Sequence, residues 1–470
     1  MAKMNNVLLL LIIVMIGSAT EWDSIIRLTD NNRTQVLGLS YQKSIAVDPD
    51  GNVWVFWQDQ RSTPYQIWLR KFDRVNRIWL PESQLTRISA QANPPSAACD
   101  RSGNVHLAWH IEGGQYAGIW YKKYDKSQGR WLGDTLLVPA VLPYLRKNPI
   151  IATQLGGNAV HIVWFGNPDT GGLYQVFHKE YRPTSGWLPY EQVSSAICPH
   201  EAAAVAVDSN NNLAVVWLGQ DFGSQRNQVF CRRRIDGVWQ NVEQVSEFPG
   251  DLAQYSPCVA VSANGNWHVV WEGTVTGQMY RQIYHRLRTP NGWSQIFMVS
   301  RGVSYQQGTP SASCREENEC HIVWRGKTQA SPDNFQLCYS FRDKYGNWSL
   351  PEQLTEIDNG NIDRPALVCD SGYGLHIVYQ DESSGNIDVY YLYGWIAGIG
   401  ISEGRPKWHN KLLRIQREMP KFLDGANVYN SLGQLTGKIG SRIGSGIYLI
   451  ETNNKGCRRI EKVVVFREPR

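Results

Sequence analysis

Between Ser44 and Tyr393 the chain alternates short apolar runs with polar turns, and the alternation itself has a period. Two apolar runs joined by a tight turn end on an aromatic anchor at Trp57, Trp109, Trp164, Trp217, Trp271, Trp324 and Tyr379, at successive spacings of 52, 55, 53, 54, 53 and 55 residues. The fuller copies run from Ser44 to Trp57, from Pro95 to Trp109 and from Pro257 to Trp271. Each surrounds a turn of the Asp-x-x-Gly-Asn type, in which Gly and Asn accept positive φ, and each predicts a two-stranded hairpin.

A second series, Trp22, Trp79, Trp131, Trp187, Trp239, Trp293 and Trp348, opens segments such as 348–355 that read as an outer fourth strand. Between the series lie β-rich third strands at 66–72, 118–124, 228–234 and 388–393. A four-stranded unit repeated at a fixed period buries its faces only by stacking on its neighbours. Seven such units predict an all-β chain whose main body is a seven-bladed β-propeller of four-stranded blades. The two series are out of phase, because Trp22 precedes the first hairpin and the last unit ends after its third strand. Residues 22–29 are therefore expected to supply the outer strand of the seventh blade, which closes the ring and removes two sheet edges.

This architecture assigns most of the 19 tryptophans to packing between blades. A histidine three residues before the anchor, at His106, His161, His268, His321 and His376, recurs too regularly for a ligand set and reads as a structural position. The nine cysteines do not form a disulfide framework. Cys99, Cys258, Cys314 and Cys369 fall at near-equivalent repeat positions and read as small buried hydrophobes. Cys314 and Cys320 flank a short turn where they face each other across a hairpin, so a disulfide there stays open as an alternative. No Cys/His spacing reads as a zinc site, and no metal or other cofactor is implied.

Charge and the termini change the picture further. The net +5 of this 470-residue chain is unevenly placed: residues 396–470 hold 14 Lys and Arg against 6 Asp and Glu, the remainder 33 against 36. The ring thus lacks the cationic surface that nucleic acid requires. Lys3, the apolar run from Val7 to Ile16 and the small residues Gly17-Ser18-Ala19 read as a signal peptide over 1–20, too short to span a membrane. No later stretch is long enough, so no stable membrane span is expected in the mature form.

After Tyr393 the period stops. Residues 396–420 read as a linker, and 421–470 as a small basic β-sandwich with Gly- and Asn-rich turns. Val428-Tyr429-Asn430, Gly433-Gln434, Gly446-Ile447-Tyr448 and Lys462 to Val465 with Arg467 resemble, in order, the type A C-terminal sorting domain of the bacterial type IX secretion system, without its usual upstream Pro-Asn-Pro stretch. The resemblance implies the type IX secretion machinery as a partner, and a protein that is secreted or attached to the outer cell surface.

Residues 21–395 resemble the sialidase-like, or Asp-box (BNR) repeat, superfamily. The features that carry this are the Asp-x-x-Gly-Asn hairpins and the Trp-terminated turns, of which Ser340, Asp343, Gly346 and Trp348 come nearest to an Asp-box. Asp-boxes are fold elements and say nothing of catalysis. The family's Phe-Arg-Ile-Pro motif is absent: Lys43-Ser44 stands where its Arg is expected, and Ile362-Asp363-Arg364-Pro365 echoes it in another blade.

Ligands would meet the loops that join the fourth strand to the first and the second to the third. Candidate ligand-binding residues there are Asp59, Arg61, Tyr255, Tyr305, Arg325 and Asp381, since Arg with Tyr suits an acidic or hydroxyl-rich glycan. Polysaccharide lyases on propellers use His and Tyr as acid and base, which makes Tyr144 with His200 the catalytic candidates, beside Arg146 and Arg364. Asp59 and Arg61, two apart at a strand end, equally suit a local turn-stabilising pair. Two classes remain: a propeller that binds a glycan or a surface protein through its central funnel, or a polysaccharide-active hydrolase or lyase. The missing motif, the Trp-free loops and the regular blades favour binding.

Overall fold

The computed structural model describes residues 20–195, 198–220, 226–248 and 252–396, and the strands Asn427–Asn430, Leu435–Lys438, Gly446–Asn454 and Cys457–Val465. The expected signal peptide up to residue 19, the expected linker from residue 397 onward, and the Gly433-Gln434 and Arg467 parts of the tail motif lie outside the described residues. The chain divides into two compact units, Met1–Ile399 and Gly400–Arg470. In the second, the described strands form one four-stranded antiparallel sheet.

The first unit is a seven-bladed β-propeller, seven antiparallel sheets in a ring. Blade five shows the plan, from the axis outward: Gln254–Val261, Trp267–Gly273, Gln282–Thr289 and Gly292–Trp293. The anchors Trp57, Trp109, Trp164, Trp217, Trp271 and Trp324 are fully buried, and Tyr379 is 1% exposed. Each second strand is buried on both faces because a blade sits on either side of it, so these strands read as continuous apolar runs.

The outer tryptophans stitch neighbouring blades. Trp79 of blade one packs on Tyr391 of blade seven, Trp187 on Tyr121, Trp239 on His178 and Trp348 on His285, with centroids 4.9–5.7 Å apart and the rings edge-on. At the hairpin turns the repeated Asp acts as a cap. Asp48 Oδ1 accepts the backbone N–H of Asp50 and Asn52 at 3.1 and 2.9 Å, while Gly51 takes φ +81°.

The ring closes as expected. Thr20–Trp22 and Ile26–Arg27 both pair with Asp388–Ile396 of the seventh blade, with Trp22 opposite Gly394. A Cβ on Gly394 would fall 2.3 Å from the Trp22 ring, so this crossing requires glycine.

Candidate functional site

The inner strands begin at one mouth of the ring, and a repeated backbone device shapes it. Lys43, Asn148, Ala202, Ser256, Thr309 and Arg364 have φ between +45° and +50° at the equivalent point of six blades. In blades three to seven the register of the inner strand shifts there, so each is a β-bulge. Blade two has Pro94 at this place, and a proline ring cannot take positive φ. Arg364-Pro365, the sequence's echo of the missing family motif, is thus one copy of this bulge, and Lys43-Ser44 shares its positive φ at the end of the turn Ser40–Gln42.

The axis is plugged. The 3-10 turn Ser40–Gln42 leaves blade one and packs against the inner strands of blades three to seven. Gln42 Nε2 donates to Pro149 O at 3.3 Å, and Gly38 N–H donates to Ser44 Oγ, which donates to Pro95 O. Tyr41 is 6% exposed; burial pushes its phenol well above the usual range, against an opposing hydrogen bond with the Asn148 side chain. Beyond Tyr41 a cavity of about 460 Å³ runs along the axis, past Cys258, Cys314 and Cys369, to Asp100, Gln154 and Asp370 at the hairpin end. Tyr41 and its turn thus form the mouth-side end of this cavity and a floor between it and the mouth.

On the mouth an arc of polar side chains spans blades five to seven. The Arg281 guanidinium lies 3.9 Å above the Tyr255 ring and 3.4 Å from Glu272 Oε2. Glu272 accepts from Ser256 Oγ at 2.7 Å and from the Thr309 N–H at 3.4 Å, reaching from blade five to blade six. A Cβ on Gly308 would meet Glu272 Oε2 at 2.7 Å and Arg325 Nε at 3.7 Å, so glycine lets the two approach. Arg325 pairs with Asp363 of blade seven at 3.1 Å, lies 4.6 Å over Phe335, and keeps a buried Nε with no partner. Arg364 follows, donating to Leu37 O of the plug at 2.7 Å. Burial pulls its guanidinium below the usual range.

A second cluster joins blades two and three. His110, 4% exposed, accepts the Asn148 N–H at Nδ1 and meets Glu112 at Nε2, 3.3 Å in each case. Lys147 lies 3.3 Å from the same carboxylate, and the His110 hydrogen bond, then Lys147, hold Glu112 down at about 2. Alongside, Arg146 reaches Asp169 at 2.5 Å and Tyr190 donates to that carboxylate.

Tyr255, Arg325 and Arg364 therefore belong to one arc, while the other sequence candidates sit elsewhere. Asp59 is fully buried: it accepts the Trp57 indole N–H at 3.0 Å and holds Arg61 through two side-chain hydrogen bonds, and Arg61 also bridges to Glu82. Asp381 is 3% exposed and caps the Ser383 N–H. Tyr305 presents its backbone carbonyl to Gln282 and Gln307. Tyr144 stands against Gly171, whereas His200, 1% exposed, packs on Trp217 with Cys198 Sγ 3.5 Å from its Nε2. Arg281 escaped the sequence reading, although its place was signalled. It precedes Gln282, one of the glutamines that open third strands at Gln66, Gln175, Gln228, Gln282 and Gln336.

No family model matches the chain, and no curated protein does. Among solved structures it is similar to an ulvan lyase described as a new family of polysaccharide lyase: 11% identity, 78% of this chain and 95% of that one, TM-score 0.56. It is likewise similar to the polysaccharide lyase Uly1, at 11% identity, 80% of this chain and 99% of the other, TM-score 0.54. At such identity the likeness is one of fold.

Proposed function

We propose that the propeller is a carbohydrate-active enzyme that cleaves an acidic polysaccharide by elimination at the arc of blades five to seven. The observation that carries this reading is the grouping of Arg281, Arg325 and Arg364 with Tyr255 over a floored mouth, where Arg325 retains an unpartnered Nε. Guanidinium groups bind and neutralise a uronate carboxylate, which makes the proton on the adjacent carbon more acidic. In this reading Tyr255, whose ring carries Arg281, supplies the hydroxyl that moves that proton. Tyr255 would take that proton and hand it to the departing glycosidic oxygen as the β C–O bond breaks, leaving an unsaturated uronate and a new reducing end. The lyase activity named for both structural neighbours supports this above a purely binding role.

The signal peptide and the sorting-domain-like tail complete the reading as a protein exported to the cell surface or beyond, where polymeric glycans are met. Fractionating the producing cells, with the protein found only in the cytoplasm, would remove that part.

The test is incubation of the full chain with a panel of acidic polysaccharides, ulvan among them, following ultraviolet absorbance of unsaturated uronate and new reducing ends together. Both signals rising, with Arg325→Gln lowering kcat/KM about 10²-fold or more at unchanged melting temperature, is the expected result. Reducing ends without the absorbance would make the enzyme a hydrolase. Retention on a glycan gel with neither signal would return the protein to the binding class.

A further inference from the structure

The histidine register contains one member unlike the rest. In all five copies Nδ1 meets a third-strand side chain 2.7–3.0 Å away: Tyr121, His178, His285, Tyr339 and Tyr391 in turn. In four copies an oxygen at the hairpin end caps Nε2. These are Asp100 for His106, Asn211 for His161, Glu319 for His321 and Asp370 for His376, at 2.5–3.1 Å. His268 is fully buried and its Nε2 has no hydrogen-bond partner. Its own blade has Ser262 where blades two, four and seven have Asp100, Asp208 and Asp370, and that serine turns back to Asn264 Oδ1 and Asn266 O. His161 solves the same problem by reaching into the next blade for Asn211. For His268 the next blade presents thiols.

Cys314 and Cys320 lie one step beyond the Ser313–His321 pair of the blade-six hairpin, opposite one another, and both are free. The ligand atoms of His268, Cys314 and Cys320 all lie within 4.8 Å of one another. Among the described residues this is the only such group of three metal-ligating side chains. We propose that His268 Nε2, Cys314 Sγ and Cys320 Sγ bind a thiophilic divalent metal ion of the zinc class across blades five and six. A buried imidazole nitrogen and two sulfurs match that ion's preference, and His285 on Nδ1 is the outer partner that orients a ligating histidine. Cys320 is buried, whereas Cys314 is half-buried and lines the axial cavity, which gives the ion a route in and leaves its fourth position to water. Binding as a dithiolate releases two protons to solvent, with no change of oxidation state. The site stands on the far side of the plug from the arc and does not depend on the lyase reading.

The experiment uses the full chain, purified in reductant without chelator and then made metal-free. Cobalt(II) is titrated in and read by its thiolate charge-transfer and tetrahedral d–d absorption, after which zinc(II) is added to displace it. The expected result is one equivalent of cobalt with both signatures, bleached by zinc. His268→Gln should weaken zinc binding at least 10-fold, and Cys320→Ser should abolish the charge-transfer band assigned to the pair. The wild-type titration needs no variant to fold, so it decides the matter alone. Absence of thiolate–cobalt absorption with both thiols titratable overturns the proposal. So does a Cys314–Cys320 disulfide in protein isolated from its native compartment, shown by two missing thiols there.

Discussion

Trp22 meets Tyr339 edge-on, with ring centroids 4.9 Å apart, and Tyr339 belongs to the sixth blade, not the seventh. The N-terminal strand therefore completes blade seven by backbone pairing and clamps blade six by the same tryptophan contact that the other outer strands make. Thr20 Oγ1 adds a hydrogen bond to the Tyr339 hydroxyl at 3.1 Å. Removing residues 20–29 is expected to lower the melting temperature far more than a terminal trim does. Trp22→Ala alone should cost about 2–4 kcal/mol, below a fully buried tryptophan because Trp22 is half-buried. Equilibrium denaturation checks both, and unchanged midpoints would refute the closure.

Asp59 and Arg61 form a test of structure against site. Removing a fully buried carboxylate that holds both an indole N–H and a guanidinium strands the indole N–H and leaves the guanidinium to Glu82 alone. Asp59→Ala is expected to destabilise by about 2–4 kcal/mol. Turnover per folded molecule on any polymer the wild type cleaves should stay as it was. A variant of normal stability and lost turnover would move the pair into the site.

Glu180 predicts a pH dependence. It is 2% exposed; burial pushes its pKa up, but Arg182 at 2.6 Å and Arg234 at 2.8 Å pull it further down, to about 2. A carboxylate depressed on folding contributes stability that is present above its unfolded pKa, about 4.3, and is lost as pH falls through the folded value. The stability gap between wild type and Glu180→Gln should thus be full near neutrality and shrink between roughly pH 4.3 and pH 2. Chemical denaturation across that range measures it; a gap constant with pH would assign the cost of the substitution to packing.

The sequence made legible whatever repeats. Anchors such as Trp57 and Trp109 recur at a nearly constant interval because each blade solves the same burial problem, and the phase of Trp22 located the closure for the same reason. Departures from the repeat were harder to see. Ser40–Gln42 occurs once, and nothing in its composition shows that it reaches the inner strands of five other blades. The arc depends on contacts that cross blades, such as Glu272 with the Thr309 N–H and Arg325 with Asp363, whose sequence separations near 40 carry no local pattern. His268 looked structural because a histidine recurs at that place in five blades, and the oxygen caps of the other four show only in the structure. Its difference rests on a serine at position 262 and two cysteines about fifty residues away. Asp59 could be placed either way by sequence, since a turn cap and a ligand group use the same residue types.

Tyr41 gives a last prediction, because it is the side chain that separates the mouth from the axial cavity. Burial raises the pKa of its phenol, and the turn that carries it packs against the inner strands of blades three to seven. Tyr41→Phe keeps the ring and gives up the hydroxyl, at a cost of about 1 kcal/mol. Tyr41→Ala opens a void beside an existing cavity that cannot collapse onto it, because seven rigid blades fix the radius; the cost should be about 3–5 kcal/mol. Loss of the floor should also loosen the Arg364 contact to Leu37 O and so raise KM for any acidic polymer bound at the arc, with Tyr41→Phe near wild type. Denaturation midpoints and KM for the two variants separate the roles. If Tyr41→Ala costs no more than Tyr41→Phe, the plug is an occupant of the axis and carries none of the ring's stability.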